Sequence, residues 1–297
     1  MRNLKKAKTN PIDFLQQIVS SKKGDNKTRM ERLHPQMIDR FREYNDKAGS
    51  NSLHTLQVQW SYDSKAKESD GYFLYIQYDN SEAKIADLRA RIIASNDGKI
   101  TLTCPICGRQ DATDLDHYIP RQILPEFSIH PYNLIPTCHR CNNNKGTLWL
   151  ESGNRLIFNA YYDAVTDEEL FDVNVAIQDG LPVINLTLKA FDAPVKPATR
   201  IALSTIEKLE LLPIFQEETN KNLKEEIMRI KVLAKRHADI DSIKGLYLDM
   251  AEEQENINDL KKILFNAIAH EPTLNRWIEQ NLFLCQVNSN SENKQQN

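Results

Sequence analysis

Four of the five cysteines occur in two C-x-x-C pairs, which are Cys104/Cys107 and Cys138/Cys141. Thiolates paired at this spacing suit tetrahedral zinc, which takes four ligands and then has no open position for catalysis. Gly108 directly follows the first pair and suits the tight turn that such a pair requires. The pattern predicts a structural zinc site that holds a loop-rich segment, and it does not by itself indicate a function.

A second group of polar residues lies between and after the cysteine pairs. It reads Asp114-Leu-Asp116-His117-Tyr-Ile-Pro120, then Pro131-Tyr-Asn133, then Cys141-Asn142-Asn-Asn-Lys145. Over residues 100–150 this arrangement resembles the HNH endonuclease family, in the zinc-ribbon type with a D-H…N…N variant of the motif. A looser similarity continues through Phe158-Asn-Ala-Tyr161-Tyr162-Asp163. It resembles long HNH proteins that are often encoded beside ATPases in bacterial defence loci.

The resemblance implies a ββα-metal fold, in which a two-stranded hairpin and a helix hold one divalent ion. The general base of the family falls on His117, since a neutral imidazole can take a proton from the attacking water. Asp116 and Asn142 fall on the metal-ligand positions, and such oxygen ligands suit Mg²⁺ or Mn²⁺. Asn133 falls on the position that braces the loop and orients the base. Lys145 is expected to contact a substrate phosphate.

Three points of the motif leave alternatives. Many members of the family carry histidine where this chain has Asn142, which predicts a shift of metal preference towards Mg²⁺. Asn143 and Asn144 follow directly, so the ligand could lie one or two positions later. Asp114 is expected either to support the site or to fill an ordinary turn or strand position. Strict alternation would put Asp116 and His117 on opposite faces of a strand, so the strand must end or twist there.

The elements around the motif are predicted from hydrophobic spacing. Residues 11–20, 28–48 and 81–95 are expected to form helices, and Asn96-Asp97-Gly98 a turn. Alternating apolar residues predict strands at 55–60 and 72–76. Strands at 171–177 and 182–188 are expected to form a hairpin. A helical pattern extends from Thr199 to Phe283, where an apolar stripe predicts a bundle core or a partner surface.

These elements predict an α+β protein with five segments. They are an N-terminal α/β region (1–98), the HNH domain with its zinc site (99–155), a hairpin and connector (156–198), a helical region (199–285) and a disordered tail (286–297). Cys285 is expected to be a small buried hydrophobe.

Composition restricts the class of protein. Hydrophobic residues make up 40% of the 297 residues and charged residues 27%, which is typical of a globular chain and excludes a wholly disordered one. Apolar runs are too short to cross a membrane, and the N-terminus lacks the features of a secretory signal, so a cytoplasmic protein is predicted. Residues 1–47 carry 12 Lys/Arg against 6 Asp/Glu, whereas residues 156–297 carry 15 against 23. A basic start can follow a phosphate backbone, and an acidic tail would be repelled by one.

We therefore expect a metal-dependent endonuclease that hydrolyses phosphodiester bonds in DNA, as an effector of anti-phage defence. One alternative is a zinc ribbon that has lost catalysis and serves in nucleic-acid binding or assembly. A further alternative is a nuclease that acts on RNA, because the motif does not read the sugar. The helical region is expected to bind an ATPase partner or a second copy of the chain.

Overall fold

A computed structural model describes residues 1–96, 102–192, 194–236 and 238–281. The chain divides into two compact units. The first contains Met1–Val165 and Arg200–Leu209, and the second contains Thr166–Thr199 and the described residues from Glu210 onward. The predicted turn at Asp97-Gly98, the end of the helical pattern at Phe283, Cys285 and the tail 286–297 lie outside the described residues.

The first unit begins with two packed helices, as the sequence predicted. Helix α1 is Pro11–Ser21, and the side chain of Asn10 caps it by accepting from the backbone of Ile12 and Asp13. Helix α2 is Gly24–Gly49. The two helices pack together and bury apolar residues at helical spacing, which are Phe14, Leu15, Ile18, Met30, Leu33, Met37 and Phe41. Burial of these two stripes is the main reason that the pair forms.

The two strands predicted in the N-terminal region are wrong. Leu53–Thr55 is a short 3-10 helix, and the alternating run after it pairs with no strand among the described residues; Val58 in this run is 56% exposed. Asp70–Tyr75 is helix α3, because the Ser69 hydroxyl accepts from the backbone N–H of Tyr72 and so caps a helical turn. The described part of residues 1–98 is therefore helical and not α/β. The mixed α+β class holds for the whole chain, through strand pairs further on.

Helix α4, Glu82–Asn96, matches the predicted helix at 81–95. It precedes strand β1, Asp114–His117, and strand β2, Leu134–Thr137. These strands pair antiparallel, with Asp116 opposite Ile135 and His117 opposite Leu134. Helix α5, His139–Lys145, follows β2 directly. A short pair, β3 (Leu150–Glu151) and β4 (Asn154–Arg155), and later residues of helix α6, Pro197–Lys208, complete this unit.

The second unit joins a hairpin to helices. Strands β5 (Phe171–Gln178) and β6 (Leu181–Leu188) pair antiparallel through a turn at Asp179-Gly180, where both residues have positive φ. This confirms the predicted hairpin, and the turn is of the kind that asparagine, aspartate and glycine allow. Helices α7 (Leu212–Lys235), α8 (Ile240–Glu252) and α9 (Leu260–His270) follow, and residues 272–281 are also helical.

Part of the predicted apolar stripe lies in the helical core of this unit, beside buried residues of α7 such as Leu223, Ile227 and Ile230. The buried members of the stripe are Ile243, Tyr247, Ile263, Leu264, Ala267 and Ile268, whereas Leu246 is 43% exposed. Among the described residues, no helix combines the length and the apolar character that crossing a membrane requires.

Candidate functional site

The four paired cysteines meet in the first unit. All four are buried, and their sulfur atoms lie within 4.8 Å of one another, with 3.8 Å between Cys107 Sγ and Cys138 Sγ. A tetrahedral zinc ion with Zn–S bonds of about 2.3 Å requires sulfur atoms about 3.8 Å apart. Gly108 has φ of 70°, and its N–H donates to the carbonyl of Cys104, which closes the predicted turn. The four cysteines can therefore hold a zinc ion.

The second pair of cysteines lies at the start of helix α5, directly after strand β2. Cys138 is the N-cap of α5, and its sulfur accepts from the backbone N–H of Cys141. Strand β2 ends one residue earlier, at Thr137. A metal bound by these cysteines would hold the start of α5 against β1 and β2. Asn142 and Lys145, which follow Cys141 on α5, then lie close to Asp116 and His117.

A cleft of about 830 Å³ opens at this junction. Four of the residues singled out from the sequence line it, namely Asp114, Asp116, His117 and Asn142. Strand β1 ends at His117, as required for two successive residues to reach one cleft. Asn133 and Lys145 are not among its lining residues, and both lie behind it. Among the neighbouring asparagines, Asn143 also lines the cleft, whereas Asn144 donates to the carbonyl of Leu209.

Asp116 is nearly buried, with 7% of its surface exposed. Its Oδ1 accepts from Lys145 Nζ at 3.0 Å, and Lys145 is itself 3% exposed. The same ammonium donates to the backbone carbonyl of His117 at 2.6 Å. Burial raises the pKa of Asp116 above its usual value, although the neighbouring Lys145 opposes that rise. Lys145 is therefore turned towards the carboxylate, and contact with a substrate phosphate stays a prediction.

The ring of His117 is held in one orientation by its surroundings. Its Nε2 lies 2.8 Å from the backbone carbonyl oxygen of Ser128. Because a carbonyl can only accept, Nε2 must carry the proton, and the neutral ring then keeps Nδ1 as a proton acceptor. Burial lowers the pKa of His117 to about 3, so the ring is neutral at ordinary pH. The ring of Tyr78 meets it edge-on, with 4.7 Å between centroids.

Asn133 joins the segment after His117 to the segment before β2. Its Oδ1 accepts from the N–H of Ile119, and its Nδ2 donates to the carbonyls of Ile119 and Phe127. Its own carbonyl accepts from the N–H of Tyr118. These bonds keep the chain near Ser128, which orients the His117 ring. The side chain is fully buried, so it acts on the cleft only through the backbone.

Asn142 is oriented by Asp114, which the sequence left between two roles. Asp114 Oδ2 accepts from Asn142 Nδ2 and from His139 Nδ1, both at 3.0 Å. A carboxylate cannot donate, so the amide must turn its nitrogen towards Asp114 and its oxygen away. Burial raises the pKa of Asp114, but these hydrogen bonds outweigh it and hold the pKa below its usual value. Asp114 is thus a charged member of the cleft as well as a strand residue.

Several residues that line the cleft are not predicted from the sequence. Arg121 follows the motif directly, and its position four residues after His117 is a signal that could have identified it. Arg89 and Glu82 belong to α4, and Tyr78 lies just before it. They reach the cleft through long-range contacts of the N-terminal region, such as the bond that Arg89 donates to the backbone carbonyl of Ala112, two residues before β1. No local sequence pattern reports these contacts.

Comparison with known proteins gives two partial matches. Over 133 residues the chain is 28% identical to the Septu protein PtuB of Bacillus thuringiensis, and the match covers 43% of this chain and 51% of that protein. A stretch of 40 residues is 48% identical to protein ea31 of Escherichia phage lambda, covering 13% of this chain and 14% of that protein. The chain spans about half the length, or less, of the curated relatives it matches. Neither a protein-family model nor a solved structure matches.

Proposed function

We propose that this protein is a metal-dependent endonuclease of the HNH type that hydrolyses phosphodiester bonds in DNA. The observation that carries the proposal is one cleft lined by Asp116, His117 and Asn142, beside four cysteines suited to zinc. A base and oxygen ligands facing one open space are the groups that phosphodiester hydrolysis needs. The hairpin β1–β2 followed by α5 agrees in element order with a ββα-metal domain.

In this proposal His117 is the general base. Nδ1 is the free acceptor of the neutral ring, because Nε2 is bonded to the carbonyl of Ser128. Nδ1 would take the proton of the water that attacks phosphorus. The edge of Tyr78 and the bond to Ser128 restrict the ring to one position, so no reorganisation is needed when the proton moves.

The residues present also fit a divalent ion of the hard class. Asp116 and Asn142 would hold it, with oxygen ligands that suit Mg²⁺ or Mn²⁺ better than a second zinc. The fit rests on a nearly buried carboxylate in the cleft and on an amide whose oxygen is turned away from Asp114. When bound, such an ion polarises phosphoryl oxygens and stabilises the leaving oxygen. Lys145 would fix the carboxylate of Asp116 in place.

The first alternative is a zinc ribbon without catalysis that binds nucleic acid or assembles with a partner. The ion pair between Lys145 and Asp116 favours it, because an ammonium group already balances the carboxylate that a metal would use. RNA cleavage is a further alternative, since the groups of the cleft read phosphate and not sugar.

A role in anti-phage defence and a protein partner belong to the same proposal. Similarity to the Septu protein PtuB supports the defence role. The partner is expected to be an ATPase or a second copy of this chain, and a cytoplasmic location remains a prediction. Support for a partner surface comes from the second unit, where Met228, Val232 and Leu246 are 62%, 51% and 43% exposed around a shallow hollow.

A gel assay tests the proposal. Purified protein is incubated with plasmid DNA and, separately, with RNA, in the presence of EDTA, Mg²⁺ or Mn²⁺. We expect DNA cleavage with Mg²⁺ or Mn²⁺, none with EDTA, and loss by orders of magnitude in His117→Ala. The matched control is His270→Ala, an exposed histidine of the second unit, which should cut like the wild type. Equal cleavage by His117→Ala and His270→Ala would contradict the role of His117.

A further inference from the structure

Three tyrosine rings stack at the surface of the first unit, close to the cleft. Tyr62 lies over Tyr75, with 4.1 Å between ring centroids and 25° between planes. Tyr62 is also nearly parallel to Tyr72, at 6.2 Å and 13°. We call Tyr62, Tyr72 and Tyr75 the tyrosine platform. All three residues are half-buried, so none of them is fully enclosed by the protein.

The platform is separate from the apolar core beneath it. Helix α3 buries Phe73 and Leu74, which already supply its contacts with the interior. Tyr72 and Tyr75 lie three residues apart, on the side of α3 that stays partly exposed. A core cluster would enclose these rings, as it encloses Phe73. Because Tyr62 and Arg121 already lie against the ring of Tyr75, the ring on which another flat ring can stack is Tyr62, on the face turned away from Tyr75.

Gly71 fixes the position of the platform. A side-chain Cβ at this residue would lie 1.9 Å from the backbone oxygen of Ser61, so only glycine allows the two backbones to approach. This contact holds the residue after Ser61, which is Tyr62, against α3. The stack is therefore built into the backbone and does not depend on the tyrosine side chains alone.

A line of contacts connects the platform to the cleft. The guanidinium of Arg121 lies 4.3 Å from the ring centroid of Tyr75 and 5.5 Å from that of Tyr78. Tyr78 in turn meets the ring of His117 edge-on. Arg121, Tyr78 and His117 all line the cleft. A strand with its phosphate beside His117 could thus extend over Arg121 towards the platform.

We propose that the tyrosine platform binds the bases of an unpaired nucleotide segment that leads into the cleft. The inference rests on the proposed nuclease function, because it assigns the strand beside the cut. The tyrosine rings suit stacking with bases. Arg121, the cation beside them, is already paired with Asp79 at 2.8 Å, so phosphate binding is the weaker interpretation of this surface. Every base has a flat face, so such a platform is tolerant of sequence and selects unpaired bases over paired ones. In a duplex those faces are stacked on their neighbours.

Binding measurements on the full-length protein test the platform without cleavage. Fluorescence anisotropy without added Mg²⁺ or Mn²⁺, which leaves the structural zinc in place, compares a labelled single-stranded oligothymidine, the matching oligouridine and a duplex of equal length. We expect Tyr62→Ala to weaken single-strand binding about tenfold, as for the loss of one stacked base, and duplex binding less than twofold. Tyr62→Phe keeps the ring and should bind like the wild type. Val58→Ala is a control for the loss of an exposed side chain nearby.

Salt distinguishes stacking from charge. The factor by which Tyr62→Ala weakens the affinity for single strands should be the same at low and high salt. Loss of a phosphate contact would instead change how steeply that affinity falls with salt concentration. Gly71→Ala should reproduce the loss by displacing Tyr62, with melting temperatures recorded for each variant.

The proposed role of the platform would be overturned if Tyr62→Ala bound single strands as tightly as the wild type, or if it lost the same affinity for duplex and single strands. A wild-type protein that does not bind single strands would also overturn it. If the platform variants behave as expected but the wild type cuts no nucleic acid, the nuclease proposal fails and the platform remains.

Discussion

Lys145 and Asp116 form an ion pair that is almost closed to solvent, with 3.0 Å between Nζ and Oδ1. It joins the last residue of α5 to the strand that carries His117. A buried pair of this kind adds little net stability over an apolar pair, but removal of one partner leaves an uncompensated charge. The pair therefore fixes helix α5 relative to β1 and makes the cleft sensitive to either residue.

The first prediction concerns this ion pair. Lys145→Met should lower the free energy of unfolding by about 3–5 kcal/mol, because Asp116 is then buried without its partner. Chemical denaturation followed by circular dichroism measures the change. Lys208→Met is the control, since Lys208 pairs with Glu151 at the surface and its loss should cost about 0–1 kcal/mol. An equal decrease in the free energy of unfolding for the two variants would show that the buried pair matters no more than the surface pair.

The second prediction separates the two metals. Cys107→Ser or Cys141→Ser should lose bound zinc and unfold the segment near residues 104–145, because metal binding contributes directly to folding there. Asp116→Ala should keep its zinc and lose activity that depends on Mg²⁺. Zinc content by mass spectrometry and thermal melting measure both effects. A cysteine variant with full zinc and unchanged melting would contradict the structural site.

The third prediction concerns pH and the fully buried His130. Burial lowers the pKa of His130 to about 3, against 6.5 when it is exposed. Between these values the unfolded chain binds more protons, so the contribution of His130 to stability falls as pH drops below 6.5. At pH 5 the loss should be about 2 kcal/mol. The loss of stability should reach its full size near pH 3, where His130 also becomes protonated in the folded protein.

Removal of the titrating group tests this prediction. The ring of His130 packs among Phe41, Tyr44 and Phe127, so His130→Phe keeps an aromatic ring in the same place. The variant should lose less stability than the wild type between pH 7 and pH 5, as measured by urea denaturation. His270→Phe, at an exposed position, should follow the wild type. Identical acid sensitivity in His130→Phe and the wild type would rule out this assignment.

Local patterns were sufficient for some elements and failed for others. Helices α1, α2 and α4 and the hairpin β5–β6 follow from apolar spacing and turn residues. Tyr72–Ile76 carries the residues of a strand, but the Ser69 cap and the burial of Phe73 and Leu74 make its first part a helix. Tertiary contacts outweighed strand propensity there.

Part of the candidate site could likewise be predicted from local sequence patterns, and part could not. The cysteine spacing predicts four sulfur atoms close together, and the structure brings them within 4.8 Å. The bond between Asp114 and Asn142 joins residues 28 positions apart, and the Lys145–Asp116 pair joins residues 29 apart. Neither partner is encoded near the other in the sequence. Such contacts require the three-dimensional arrangement of β1 and α5.

The fourth prediction concerns the exposed apolar residues of the second unit. Val232→Lys and Leu246→Lys place charges in the hollow between α7 and α8, where a partner is expected to bind. Either change should abolish self-association in light scattering, or capture of an ATPase co-expressed with this protein, without lowering the melting temperature. Lys235→Glu, at the end of α7, is a charge-changing control. A wild-type protein that is monomeric and captures no ATPase would remove the partner proposal.

The last prediction tests Asp114 as the residue that orients Asn142. Asp114→Ala leaves the Asn142 amide free to rotate, so its oxygen no longer has a fixed direction. We expect Mn²⁺ affinity to fall about 10–100-fold, the usual range for residues that position a ligand. Asp114→Asn should retain more affinity, because its amide oxygen can still accept from Asn142. Electron paramagnetic resonance of free Mn²⁺ measures binding directly and independently of cleavage, and zinc content should stay constant. Mn²⁺ affinity that is unchanged in Asp114→Ala but lost in Asn142→Ala would show that Asn142 needs no such support.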